Sequence, residues 1–186
     1  MDHKNIRYDC TPFLFYVVIE QDSTFAGYFS KEYGETVEHN LSCILILPHC
    51  QRKGYGKFLI ELSYTLSKLE GRKGTPERPL SDLGFRSYVV FWAIRIIRFL
   101  LETTSSKLTI QHISDETNID PNDVHYILEN FRILRKSSGV NSQMYMKKEY
   151  LEGLLEGLGV KRDKRQNFVY LKLVNENKLL WEPFKF

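Results

Sequence analysis

The sequence predicts a mixed α/β chain, of the α+β kind, with a helical region on its C-terminal side. Three observations carry that prediction. Apolar runs rich in β-branched and aromatic residues occur early, at 13–19 and 41–47, and such runs read as buried strands. Two longer stretches, 55–69 and 81–102, then place apolar residues at helical spacing. After Ser105 the pattern breaks into shorter pieces, each the length of a small helix or a hairpin arm.

Taken in order, "FLFYVVI" at 13–19 is the first strand. Phe25 to Phe29 is the second, and the turn-like Gln21-Asp22-Ser23 between them suggests a hairpin. Residues 31–40 are polar and acidic and read as a loop. "LSCILIL" at 41–47 is apolar on both faces and reads as a central strand that Pro48 ends. Tyr55, Phe58, Leu59, Leu62, Leu66 and Leu69 form one stripe of a helix that Gly71 stops. The loop 71–80 contains two prolines, and Ser81 with Asp82 then caps a long helix ending near Glu102. Farther on, "LTIQHISDETNI" is a short amphipathic segment, and Asp120-Pro121 opens a helix running to about Phe131. "ILRKSSGVNSQMYMK" reads as a hairpin with Ser-Gly in its turn, so the region is winged-helix-like. A strand-like "FVYLKLV" at 168–174 precedes an aromatic tail. The expected division is a core over 1–105 and a winged-helix-like region over 106–186.

With 186 residues, 42% hydrophobic, the chain has enough apolar material for a real core. Its net charge of +3 neither demands nor excludes a nucleic-acid partner. Cys10, Cys43 and Cys50 are odd in number and form no CxxC pair, which argues against a disulfide framework and for a reducing compartment. No secretory signal is recognisable. The most apolar run, 88–101, carries Arg95 and Arg98 and is too short to span a bilayer.

The stretch "HCQRKGYGKFL", 49–59, gathers Arg52, Lys53 and Lys57 around Gly54 and Gly56 at the start of a helix. The first N–H groups of a helix have no partner within it, and the helix dipole is positive there. Glycines let those amides approach an anion closely, so the arrangement suits a diphosphate. The alternative is a surface turn with solvated cations, and the loop alone leaves both open. It is neither GxxxxGK[ST], because Phe58 follows Gly56-Lys57, nor GxGxxG, because Leu59 replaces the third glycine.

"CILILPHCQRKGYGKFLIELSYTLSKLEG" followed by "GTPERPLSDLG" resembles the catalytic core of the MYST family of histone acetyltransferases. "DHKNIRYDCTPFLFYVV" and "GYFSKE" resemble the stretches just upstream in that family. The resemblance implies an acyl-CoA N-acyltransferase (GNAT-like) core using acetyl-CoA as cosubstrate and no metal in this chain. Arg52, Lys53, Gly54, Tyr55, Gly56 and Lys57 would hold the diphosphate of the coenzyme. The backbone of Ile44, Leu45 and Ile46 would line its pantetheine arm, and Ser81 would also touch it. Glu77, in the stiff "TPERP" loop, matches the family's general base, which the reaction needs because an ammonium near pKa ~10.4 is the wrong form for attack. Taken alone it would be a solvated loop carboxylate. Cys43 matches the family's active-site cysteine, although a mid-strand cysteine also reads as a small buried apolar residue.

Two mechanisms stay open: direct transfer in a ternary complex, which is favoured, or prior acetylation of Cys43. Backbone amides near Cys43 and Ile44 are candidates for oxyanion stabilisation. Lys4 matches a lysine that the family autoacetylates. His39, Cys43, His49 and Cys50 have no zinc-like spacing.

The implied partners are a histone tail or nucleosome and subunits of a chromatin-modifying complex, with nuclear localisation and no membrane. An acidic stretch from Glu20 to Glu38 would suit a lysine-rich tail, and Lys161, Arg162, Lys164 and Arg165 would suit phosphates. Each also reads as an ordinary solvated surface. Two other classes of function remain: a catalytically weak scaffold subunit, or a winged-helix DNA-binding module. Direct DNA binding is not expected, because the second helix of that module carries carboxylates rather than bases. Family members carry a zinc-finger part and further strands before the DHK segment, whereas this sequence begins at Met1-Asp2-His3-Lys4, so either the protein is naturally minimal or an N-terminal part is not included in it. His49-Cys50, Val90 and Leu180 also replace Pro-Tyr, a CoA-contacting serine and a tail lysine.

Overall fold

The computed structural model describes residues 10–34, 37–105, 108–136, 142–165, 168 and 174. The chain falls into two compact units, Met1–Ser87 with Leu173–Phe186, and Tyr88–Lys172.

The first unit is built on an antiparallel sheet of β1 (Phe13–Ile19), β2 (Phe25–Glu32) and β3 (Cys43–Ile46), in the order β1-β2-β3. The β1–β2 register sets Val17 opposite Tyr28, and the β2–β3 register sets Gly27 opposite Ile46. β2 is therefore the middle strand. β3, expected to be central, is an edge strand among the described residues. Its apolar character reports side chains that are half-buried on both faces and says nothing about its two hydrogen-bonding edges. β2 also runs to Glu32, beyond the expected end, because Lys31 and Glu32 pair with Leu14 and Phe13 of β1; Lys31 is buried in an ion pair with Glu70.

α1 (Tyr55–Leu69) lies against one face of this sheet. Phe29, Leu41, Leu59 and Leu66 are fully buried there, with Tyr16, Val18, Ile44, Ile46, Phe58 and Leu62 around them. Each of the four fully buried side chains contributes about 1.5–3 kcal/mol of transfer energy. Tyr16 stacks on Phe29 with ring centroids 4.6 Å apart. Gly27 is needed in β2, since a Cβ there would come within 2.4 Å of the Leu45 carbonyl oxygen. α1 stops at the expected place: the Gly71 N–H reaches the Lys68 carbonyl, and Gly71 has φ +70°. α2 (Asp82–Glu102) starts on the predicted cap, with Ser81 Oγ accepting from the Gly84 N–H at 3.1 Å.

In the second unit α2 buries Tyr88, Trp92, Ala93, Ile96, Ile97 and Leu100 along one stripe. α3 (Ile110–Thr117) is capped by Thr109 and α4 (Pro121–Asn130) by Asp120, each side chain accepting a backbone N–H. Asn118, in the left-handed region at φ 56°, ends α3. β4 (Leu134–Lys136) and β5 (Ser142–Met144) pair antiparallel. The expected Ser-Gly turn between them lies outside the described residues. α5 (Lys148–Gly157) follows, burying Leu151 and Leu155. Of the strand expected at 168–174 only Phe168 and Val174 are described. No helix among the described residues is long and apolar enough to cross a membrane.

Candidate active site

The site begins where β3 stops. The Leu47 N–H bonds to the Ala26 carbonyl at 2.9 Å, and Pro48–Cys50 then makes one 3-10 turn. Cys50 is buried beneath that turn and His49 is exposed. Arg52 (φ 62°) and Gly54 (φ +94°) bend the chain back into α1. A glycine suits the left-handed conformation at 54. At 56 the fold itself asks for no glycine, because a Cβ would meet nothing nearer than Ile46 Cγ1 at 3.9 Å.

The start of α1 carries no side-chain cap and no acidic residue in its first turn. The Phe58 N–H already bonds to the Gly54 carbonyl. The amides of Tyr55, Gly56 and Lys57 thus lie at the positive end of the helix dipole. Arg52, Lys53, Gly54 and Lys57 are exposed, while Tyr55 and Gly56 are half-buried. The structure therefore brings the six loop residues singled out in the sequence to one helix end.

A carboxylate from another element completes this loop. Glu20 Oε1 accepts from Lys53 Nζ at 3.0 Å and from the Tyr55 hydroxyl at 2.7 Å. These bonds, Tyr55 first, hold the Glu20 carboxyl below its ordinary value. The same bonds push the Tyr55 phenol and the Lys53 ammonium up. Nothing local in the sequence signals this contact, which joins positions 33 and 35 residues apart. It also means that Glu20 is not a bare surface carboxylate but serves the loop.

The outer edge of β3 leads into the loop. Hydrogen-bonded and non-bonded pairs alternate along antiparallel strands. With Leu47 bonded to Ala26, that alternation turns the N–H and C=O groups of Ile44 and Ile46 away from β2. Gln51 Nε2 donates to the Ile46 carbonyl from that outer side, at 3.1 Å. Leu41 forms a parallel bridge with Pro76 on the same edge. The Asn40 N–H bonds to the Thr75 carbonyl at 3.0 Å and the Glu77 N–H to the Leu41 carbonyl at 2.8 Å. The backbone of Glu77 is thereby fixed two residues from Cys43 along the sheet edge.

Cys43 is half-buried on the sheet face opposite α1. Its N–H donates to Ser30 Oγ at 3.2 Å, and the Ser42 N–H bonds to the Ser30 carbonyl at 2.7 Å. Of the two amides considered for an oxyanion, that of Cys43 is thus already engaged, and that of Ile44 faces outward. Tyr28 shares the face of Cys43, and burial is the main cause that raises its phenol, with the Cys43 thiol next. Sequence reasoning passed over Ser30 and Tyr28, and only the register between β2 and β3 brings them here.

Ser81 caps α2 through its hydroxyl oxygen, which leaves the hydroxyl proton as a donor. Lys4 and Leu180 lie outside the described residues. Among the described residues no group of His, Cys, Asp and Glu side chains is placed to hold a metal ion. In the basic run, Arg162 bonds to Glu156 at 2.7 Å and Glu152 at 3.0 Å and stacks over Phe168. It is a structural tie. On α4, Asp123 is buried, and the exposed positions are Asn122, His125, Tyr126, Glu129 and Asn130.

The sequence profile of the MOZ/SAS family matches residues 1–173. The histone acetyltransferase ESA1 of Yarrowia lipolytica is 39% identical over 186 residues, covering 98% of this chain and 38% of that protein. The ESA1 of Candida glabrata is 40% identical over 186 residues, covering 98% and 39%. The histone acetyltransferase KAT6A of Homo sapiens is 47% identical over 137 residues, covering 72% of this chain and 7% of that protein. The chain thus spans well under half the length of these relatives.

Proposed function

The chain belongs to the MOZ/SAS family, the MYST family that its sequence resembles, and from that premise we propose that it transfers acetyl from acetyl-CoA to a lysine side chain of a histone tail. One observation carries the reading. An uncapped helix N-terminus, ringed by Arg52, Lys53 and Lys57, follows directly on a strand edge whose backbone groups at Ile44 and Ile46 face outward. That pairing of an anion cradle with a strand edge whose Ile44 backbone groups face outward fits a long ligand with a diphosphate at one end and amide groups along its arm. Gly56, unneeded by the fold, leaves room for a phosphate to approach the backbone.

Acetyl-CoA supplies the acetyl thioester. The amides of Tyr55, Gly56 and Lys57 with the loop cations bind the diphosphate. Ile44, Leu45 and Ile46 orient the arm, and Ser81 donates to it. Glu77, its backbone held beside Leu41, takes the proton from the lysine ammonium directly or through a water. The Ile44 amide is the candidate donor to the developing oxyanion. Cys43 stands near the reacting centre without being obligatory, so transfer is direct. The core over 1–105 is GNAT-like, and 106–186 is a winged-helix-like region. α4 contains no Lys or Arg, which counts against DNA binding through that helix. The partners are histone tails and subunits of a chromatin complex, and the site of action is the nucleus.

The test is acetylation of histone peptides by the purified protein with and without Glu77→Gln, alongside calorimetry with coenzyme A. Loss of the base is expected to lower the rate by about 10²–10⁴-fold while leaving the binding heat in place. Equal rates would remove Glu77 from the mechanism. No heat with coenzyme A at millimolar concentration would remove the cofactor reading.

A further inference from the structure

The only residue from outside the glycine loop bonded to two of its side chains is, among the described contacts, Glu20. We propose that Glu20 is a positioning residue for the coenzyme: from the β1–β2 turn it pins the loop on both sides of Gly54, so that the α1 amides are already aimed when the diphosphate arrives. The proposal rests on the cofactor reading above.

Five features support it. Glu20 is itself rigidly held, its N–H bonded to the Thr24 carbonyl and its C=O accepting from the Ser23 N–H, each at 2.9 Å. Asp22 Oδ1 accepts from the Thr24 N–H at 3.0 Å and tightens the same turn. A single oxygen, Oε1, then takes both loop donors, Lys53 Nζ and the Tyr55 hydroxyl. Those donors flank Gly54, whose φ of +94° marks the joint with the most backbone freedom. The helix start has no side-chain cap of its own to fix that joint. Restricting it in advance lowers the ordering cost of binding.

The carboxylate has two opposed effects. Its charge repels a diphosphate and neutralises Lys53, while its geometry holds the cradle. Glu20→Gln keeps the acceptor oxygen and drops the charge. Glu20→Ala drops both. Positioning predicts that the Gln variant binds coenzyme A at least as tightly as the parent chain. The Ala variant should bind roughly tenfold more weakly, the equivalent of two modest hydrogen bonds. In turnover the Ala variant should raise KM for acetyl-CoA and leave kcat within about twofold. Tyr55→Phe removes one of the two ties and should weaken binding less than Ala does, so the test survives if Glu20→Ala fails to fold.

Titration calorimetry on the whole chain reads each of these. If Gln and Ala tighten binding alike, the carboxylate acts by charge alone and the proposal is overturned. Ala and Phe variants that match the parent overturn it too. A parent chain that shows no heat at all sinks the cofactor reading along with it, whereas a parent that binds while its variants fail to separate sinks the positioning role only.

Discussion

At the scale of single residues, Glu20 and Tyr55 set the pH range over which the loop keeps its shape. Glu20 is held below its ordinary value of 4.5, so its tie is fully present above that pH and is lost as pH falls through the lower folded value. Tyr55 is raised above 10.0, so its part is present below that pH and is lost as pH rises through the higher folded value. An ultraviolet difference titration of the parent against Tyr55→Phe should therefore show this phenol ionising above 10.0. Glu20→Ala, which removes the acceptor, should shift that ionisation downward, and an unchanged midpoint would contradict the bond. Glu77 and Cys43 were legible only as members of a long motif, since a loop carboxylate and a strand cysteine carry no signal by themselves. Glu20 was legible as a charge but not as a partner, because the turn that delivers it is far from the loop in sequence.

At the scale of elements, α1 is fastened at both ends. Its N-terminus is tied to the β1–β2 turn through Tyr55, and its C-terminal cap residue Glu70 is paired with Lys31 of β2. Lys31 is buried and Glu70 half-buried, so Lys31→Met should destabilise the chain by about 1–3 kcal/mol by leaving a half-buried carboxylate unpaired. Pairing that change with Glu70→Leu should recover most of the loss in denaturant melts. Gly27→Ala presses a Cβ into the Leu45 carbonyl and should cost about 1–3 kcal/mol. The outlines of β1, α1 and α2 could be read from sequence because hydrophobic spacing, caps and a stop glycine agreed there. The edge position of β3 could not, since spacing reports faces and not neighbours. α5 escaped notice because Gly153 and Gly157 lower its helix propensity, and its identity comes from burying Leu151 and Leu155.

At the scale of the whole molecule, ligand and solvent act on the chain together. Coenzyme A at a hundredfold excess over its Kd should raise stability by about 2.7 kcal/mol, measurable as a shifted melting curve that Glu20→Ala blunts. The sheet face turned away from α1 leaves Phe15, Val17 and Ile19 of β1 exposed, with Phe25 beside them. A row of this kind promotes association. Val17→Lys should reduce light scattering at high concentration while changing stability by no more than about 0.5 kcal/mol. Long-range closures such as the bond from the Val174 N–H to Glu61, 113 positions apart, leave no trace in local sequence. The turn at 21–24 carries a practical consequence. It sits on the surface, the kind of place usually chosen for an epitope tag or a graft. Since that corner aims Glu20, an insertion between Asp22 and Ser23 should leave the protein folded and soluble yet slacken its grip on the coenzyme, a defect that a check of expression and folding alone would never notice.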